Sequence, residues 1–393
     1  MSRQSGSINS PTFTGLIVLS AEDGPGLAQG LFETLAPFAI TVLEVQQIAI
    51  AGRLILTVLI GLNPAHADAI EADVEQCSLR LGADIAIAFS DSSNALQPDR
   101  EVFSVNAIGD ALSPIMIADI TGQFSSLGVN IHNISTRSGL INSVRFEVSG
   151  ASLSVLRSSL SSFCAERNYE VAVQTQNFEM ARKLFVMDVD STLIQQEVIE
   201  LLARRAGVEA EVIAITASAM RGELDFAESL AQRVALLKGL PESVLSEIQD
   251  EVTLTDGAEL LVESLQQLGH SVALVTGGFV EVVAPLARKL GISHLRANSL
   301  EVRDGYLTGL TQGTVLDRAG KAQALKEFAE IESIPLVNAV AIGDGANDLD
   351  MLAAAGLGIA FNAKPAVRAA ADSSISKPNL ARILDLLAIP RSK

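Results

Sequence analysis

The sequence predicts an α/β unit built on a doubly wound parallel sheet with a helical insertion, preceded by two small α+β domains. Three observations lead there. An apolar run, Leu184-Phe-Val-Met187, stops at two carboxylates, Asp188 and Asp190, as a buried parallel strand does where its carboxyl end opens on a binding crevice. Apolar runs then alternate with amphipathic stretches to the end of the chain, the pattern of strand–helix–strand crossovers. In the front half, a strand-helix-strand-strand-helix-strand order occurs twice.

Residues 1–11 are rich in Ser, Asn and Gly and are expected to be disordered. The first domain, 12–90, reads as strand (15–20), turn at Asp23-Gly-Pro-Gly26, helix (27–37), strand (40–49), turn at Gly52, strand (54–62), helix (65–81) and strand (85–89). Two helices packed on one face of a four-stranded antiparallel sheet, the ferredoxin-like arrangement, satisfy that order. After a polar linker (90–100) it recurs in 101–176, with Asp110-Ala-Leu-Ser-Pro114 after the first strand, a turn at Gly139 and a last strand over 169–174. Asp23 and Asp110 stand 87 residues apart, as do Cys77 and Cys164, which is what a tandem duplication leaves.

A polar stretch, 174–182, leads to the third unit, 182–393. Residues 195–252 read as mostly helical. A strand over 271–276 ends in Thr276-Gly-Gly-Phe279 before a helix, and 301–310 reads as a hairpin around Asp304-Gly305. A helix begins at Lys321, a strand over 337–342 ends in Gly343-Asp-Gly-Ala-Asn-Asp348, and 357–361 is a further strand.

Hydrophobic residues make up 48% of the 393, enough for several cores, and with aromatics at 4% and no Trp those cores must be aliphatic. The formal net charge of −18 opposes nucleic acid and anionic membranes, so an anionic substrate needs a local cluster of cations. No apolar run reaches membrane-spanning length without a polar break, and the start lacks a signal peptide's apolar region, so the expected location is cytoplasmic. Cys77 and Cys164 fit a reduced compartment and buried apolar roles. His66, His132, His270 and His294 show no triad or zinc-site pairing and are expected to cap or to lie at the surface.

Alternation points Asp188 and Asp190 the same way, and like charges so close resist joint ionisation unless a cation sits between them or one keeps a proton. One carboxylate can then serve as nucleophile and metal ligand, the other as general acid and base. Asp190-Ser-Thr192 are equally the residue types that cap a helix, and this strand end alone leaves both readings open. Other strand ends add different groups. Thr276 and the Gly277 N–H can donate to a phosphoryl oxygen at a helix start. Lys321 can neutralise phosphoryl charge, Asp344 and Asp348 are hard ligands of the kind Mg²⁺ takes, and Asn347 can orient a neighbour. Together these parts describe phosphoryl transfer through an aspartyl phosphate.

Two resemblances sharpen this. Asp23-Gly24-Pro25-Gly26 between a strand and a helix is similar to the signature of ACT domains, modules that bind amino acids and pair with one another. The second copy has Ala111, Leu112 and Ser113 where that turn has Gly24, Pro25 and Gly26. Asp-Xaa-Asp-Xaa-Thr at 188–192, a hydroxyl before two glycines at 276, lysine at 321 and Gly-Asp-Gly-Xaa-Asn-Asp at 343–348 resemble the four motifs of the haloacid dehalogenase superfamily. Glu197, Met220, Phe226 and Arg233 in the helical insertion extend the resemblance to its phosphoserine phosphatases. That resemblance implies Asp188 as nucleophile, Asp190 as general acid and base, and Mg²⁺ held by Asp188, Asp344 and the Asp190 carbonyl. It implies O-phospho-L-serine as substrate, with Glu197 on its ammonium and Arg233 on its carboxylate, under a cap over about 195–252. The duplicated, ACT-like front half adds the expectation that L-serine, the product, binds near residues 23–26 as regulator and that the chain forms a homodimer through these domains.

Overall fold

A computed structural model describes residues 13–91, 101–109, 111–137, 141–220 and 223–391, with the Met220 side chain left out. The expected disordered N-terminus (1–11), most of the 90–100 linker, Asp110, the turn at Gly139 and Arg221 lie outside them.

The chain divides into two compact units, residues 1–100 and 101–393. In the first, β1 (Phe13–Glu22), α1 (Leu27–Leu35), β2 (Thr41–Ile50), β3 (Arg53–Gly61), α2 (Ala67–Leu81) and β4 (Asp84–Asp91) follow one another, and the antiparallel sheet runs β2-β3-β1-β4. Period-two alternation sends Ile17 and Leu19 of β1 and Leu56 and Val58 of β3 into the core beneath the helices. The opposite face keeps Leu16, Ile48 and Ile50 exposed.

The second unit opens with β5 (Phe103–Gly109), α3 (Pro114–Ser126), β6 (Asn130–Arg137), β7 (Asn142–Ser149), α4 (Leu153–Arg167) and β8 (Glu170–Thr175), in an antiparallel sheet of order β6-β7-β5-β8. Thr175 then caps α5 (Gln176–Met180), accepting from the Phe178 N–H, and Phe178 is buried. The polar stretch expected over 174–182 thus holds the end of β8 and a short helix fixed by its cap and one aromatic side chain.

The remaining elements are β9 (Leu184–Met187), α6 (Val198–Ala206), α7 (Glu209–Met220), α8 (Phe226–Ala235), α9 (Ser243–Glu247), α10 (Ala258–Gln267), β10 (Ser271–Phe279), α11 (Val280–Lys289), β11 (His294–Arg303), β12 (Tyr306–Gln312), α12 (Arg318–Ile331), β13 (Ala339–Gly343), α13 (Leu349–Ala354), β14 (Leu357–Phe361), α14 (Pro365–Ala370), β15 (Ser373–Ile375) and α15 (Arg382–Leu386). Their sheet is β12-β11-β10-β9-β13-β14-β15 and it is mixed: β12 returns antiparallel to β11 through Asp304 (φ 52) and Gly305 (φ 79), whose paired positive φ angles match a tight hairpin turn. Strand β9 is central, and its side chains feed two cores. Leu184 and Val186 pack with Leu325 of α12 and Met351 of α13, while Phe185 and Met187 pack with Leu261 of α10 and Val283 of α11. Burial on both faces explains why β9 reads as an unbroken apolar run.

Helices α6 to α9 form the insertion between β9 and β10. Its two connections run side by side, with Gln195 N–H donating to Thr253 O and Thr255 N–H to Leu193 O, each at 2.9 Å. This narrow ladder is where a cap can hinge. The β5–β8 sheet packs on the same unit's C-terminal elements: Ile108 and Ala172 join the large core, and buried Glu170 pairs with Arg382 at 2.7 Å.

Candidate active site

The carboxyl ends of β9, β10 and β13 and the start of α12 bring the predicted groups together. Asp188 follows β9 with its N–H on Ile342 O of β13 (2.9 Å), which anchors it beside the Gly343–Asp348 loop. Its Oδ1 accepts from Val189 N–H at 2.7 Å, and its Oδ2 lies 2.9 Å from Lys321 Nζ. Lys321 also donates to Asp348 Oδ1 at 2.7 Å, and all three side chains are buried. Asp348 Oδ2 accepts from Gly345 N–H, so both its oxygens are engaged. A Cβ on Gly343 would meet the Asp348 carboxyl carbon at 2.4 Å; only glycine allows that loop to close so tightly.

Asp190 is turned elsewhere. Its Oδ1 accepts from Val198 N–H (3.0 Å) at the start of α6, and its Oδ2 from Thr276 Oγ1 (3.2 Å). Thr276 in turn accepts from Gly278 N–H at 2.8 Å. A Cβ on Gly278 would meet Asp190 Oδ2 at 2.6 Å, the steric reason for the second glycine of the motif. One expectation is corrected here. Strand β10 continues through Phe279 and α11 begins at Val280, so Thr276 and Gly277 sit on extended backbone ahead of the helix start. The register shift between Val275 and Phe279, across which the pairing of β10 with β11 is interrupted before it resumes at Phe279, gives them that placement.

Asp188, Asp344 and Asp348 offer carboxylate oxygens all within 4.8 Å of one another. Thr192 Oγ1 donates to one oxygen of Asp344 at 3.0 Å. This acidic set with one ammonium suits a hard divalent cation. Burial, then repulsion from Asp348, raises the Asp188 carboxyl well above its usual range despite Lys321. Burial and Asp348 raise Asp344 to about 6, and burial and Glu197 raise Asp190 to about 7. Burial pulls the Lys321 ammonium down, but Asp188 and Asp348 outweigh it and leave its pKa above the usual value.

The insertion supplies the rest. Glu197 precedes α6 and accepts from Ser191 Oγ at 2.7 Å. Arg233, on α8, donates from Nε to Ser229 O, and among the described residues its guanidinium has no ion pair within 4 Å. Burial lowers its pKa, while Glu197, Asp190 and Glu200 are near enough to oppose that. Phe226, also on α8, lies over Gly277, its ring 3.0 Å from where a Cβ there would stand. Asn347 is half-buried in the turn after Gly345. The Met220 side chain lies outside the described residues. Thr192 and Ser191, which hold Asp344 and Glu197, carried no sequence signal beyond their place in the motif.

These raised carboxyl pKa values have a linkage consequence. Each group favours the fold fully below the unfolded pKa of about 4, and that contribution is lost as pH rises through about 6 for Asp344 and about 7 for Asp190. A divalent cation binds the ionised forms, so at one fixed concentration, about a hundredfold above the pH 8 Kd, it should stabilise the fold by about 2–3 kcal/mol at pH 8 and raise Tm less at pH 5. Asp344→Asn should remove most of that increment; an increment independent of pH would reject the site.

Comparison with known proteins places these features. Residues 185–353 match the haloacid dehalogenase-like hydrolase family, and residues 15–88 match the ACT domain family. A phosphoserine phosphatase of Streptomyces coelicolor is 43% identical over 97% of this chain and 93% of its own length. Phosphoserine phosphatase SerB2 of Mycobacterium tuberculosis is 42% identical over 96% and 94%. Among solved structures, a phospho-aspartyl intermediate analogue of phosphoserine phosphatase is similar with a TM-score of 0.50 and 46% identity, covering 52% of this chain and 97% of that one.

Proposed function

We infer the chemistry from a premise: this chain belongs to the phosphoserine phosphatase family, with an ACT domain ahead of a haloacid dehalogenase-like hydrolase unit. It hydrolyses O-phospho-L-serine to L-serine and phosphate, the last step of serine synthesis. The observation that carries this at the site is the buried Asp188–Lys321–Asp348 bridge at the strand ends, with Asp190 held apart from it.

Asp188 attacks phosphorus, and the bond to the seryl oxygen breaks. Asp190 gives that oxygen its proton, then takes one from the water that splits the acyl phosphate, which returns Asp188 to carboxylate. A carboxyl held near pH 7 suits both tasks. Lys321 balances charge on Asp188 and the phosphoryl oxygens, and the Thr276 hydroxyl and Gly277 N–H bind a phosphoryl oxygen. Asp188, Asp344 and the Asp190 carbonyl would hold Mg²⁺, with Asp348 engaged by Lys321 and the Gly345 N–H beside them. When bound, Mg²⁺ adds positive charge beside the phosphoryl oxygens. Glu197 takes the substrate ammonium and the Arg233 fork its carboxylate, with Met220 and Phe226 assigned to substrate binding. Asn347 orients the phosphoryl-binding loop. The cap, about 195–252, closes to exclude water during the first transfer.

Hydrolysis of a phosphomonoester panel tests this reading. Arg233→Ala should lower kcat/KM for phosphoserine by about a hundredfold, as loss of a charged bidentate contact does, and hardly change O-phosphoethanolamine, which lacks the carboxylate. Equal losses on both would reject the carboxylate assignment, and faster release from sugar phosphates than from phosphoserine would reject the substrate.

The domain reading is also ours: residues 12–90 and 101–176 are two ACT-like domains of ferredoxin-like order, and 182–393 is the doubly wound phosphatase unit. L-serine binds near Asp23, Gly24, Pro25 and Gly26 and regulates turnover, and the exposed apolar residues Leu16, Ile48 and Ile50 support a homodimer through the first domain. Identical rates with and without L-serine would remove the regulatory part.

A further inference from the structure

The loop that carries Asp188 and Asp190 holds a residue in an unfavourable backbone conformation. Ser191 has φ 56 and ψ 5, the left-handed region where a Cβ is costly and glycine or asparagine is usual. Such a conformation persists where surrounding bonds over-determine it. Here the Ser191 N–H donates to Gln196 O at 3.2 Å, and the hydroxyl donates to Glu197 Oε1 at 2.7 Å. Gln196 is itself tied to the second cap connection, its side chain accepting from Thr253 N–H at 2.9 Å and donating to Glu251 O at 3.2 Å. Glycine would relieve the backbone but would leave Glu197 without that donor.

We propose that Ser191 is a positioning residue for substrate selection: its hydroxyl fixes one Glu197 oxygen so that the other is aimed at the substrate ammonium. The inference rests on the assignment of Glu197 to that ammonium. Glu197 precedes the first helical turn of the cap, its carboxylate has no other hydrogen bond among the described residues, and it stands among acids, acting on both Asp190 and Asp344. Without the hydroxyl its carboxylate would rotate away from them toward solvent. The charged hydrogen bond therefore keeps a repelled group in place, at the residue that separates the catalytic Asp190 from the cation-side Thr192.

The test compares O-phospho-L-serine with 3-phosphoglycerate, which keeps the carboxylate and phosphate and has a hydroxyl in place of the ammonium. Ser191→Ala should reduce the ratio of kcat/KM values, phosphoserine over 3-phosphoglycerate, by about tenfold, chiefly through KM, as expected for one charged hydrogen bond. Ser191→Gly should lose the same selectivity although the backbone strain is gone. A merely structural role would depress both substrates alike and leave the ratio unchanged, which would overturn the proposal. A ratio restored in the glycine variant would overturn it too, since strain and not the hydroxyl would then be the cause. If the unmodified protein shows no preference for phosphoserine, the substrate assignment fails; if it does and the alanine variant keeps it, only the Ser191 inference fails.

Discussion

Asp188→Asn should stop phosphate release from O-phospho-L-serine, lowering kcat by about 10⁴-fold or more, because an amide oxygen at neutral pH cannot form the acyl phosphate. The fold should persist. Asparagine has nearly the same shape, its amide oxygen can still accept from Val189 N–H, and Lys321 keeps its bond to Asp348. Circular dichroism and a phosphate assay on the purified variant are sufficient. Turnover within about tenfold of the parent would transfer the nucleophile to another group and end the aspartyl-phosphate reading.

Lys321→Met should lose both stability and activity. Methionine keeps the apolar stem but removes the ammonium 2.9 Å from Asp188 and 2.7 Å from Asp348, leaving buried carboxylates facing one another and Asp344. Removing one partner of a buried ion pair costs about 3–5 kcal/mol, or roughly 10 °C in Tm for a unit of this size. The loss should be larger at pH 8 than at pH 5, because at low pH the orphaned carboxyls take up protons and cease to repel. Combining it with Asp188→Asn should restore part of the stability, since the double variant carries one fewer unpaired charge. Additive losses in the double variant, or a Tm unchanged in the single one, would mean that Lys321 does not neutralise this cluster. Catalysis should fall by about 10²–10³-fold, the scale of a lost charge at a developing phosphoryl transition state.

Much of this was legible because it is local. The run Leu184-Phe-Val-Met187 is apolar at every position since β9 is covered on both faces, and the acids that end it mark the open edge of the sheet. Asp304-Gly305 announced its hairpin because few other residue pairs accept two positive φ angles in succession. The length of β10 was misjudged for the opposite reason. Thr276-Gly-Gly reads as a turn by propensity, yet the backbone stays extended there because Gly278 packs against Asp190 and Asn298 donates to Gly277 O, partners that proximity in the chain does not reveal. Likewise the helix Gln176–Met180 depends on Phe178 finding a core, and a polar-looking segment hides that.

Residue types at strand ends were enough to name the kind of chemistry, since only a few side chains can attack phosphorus, carry a proton or hold a hard cation, and they recur here in motif order. Which oxygen each group presents was settled by folding. Both Asp348 oxygens are occupied, by Lys321 and by Gly345 N–H, whereas Asp190 faces Thr276 and the start of the cap. Those choices follow from contacts between residues far apart in the chain, such as Thr192 with Asp344, 152 positions on. Local propensity carries no information about such contacts, because each is made only when separate strands pair in register and bring their ends to one edge.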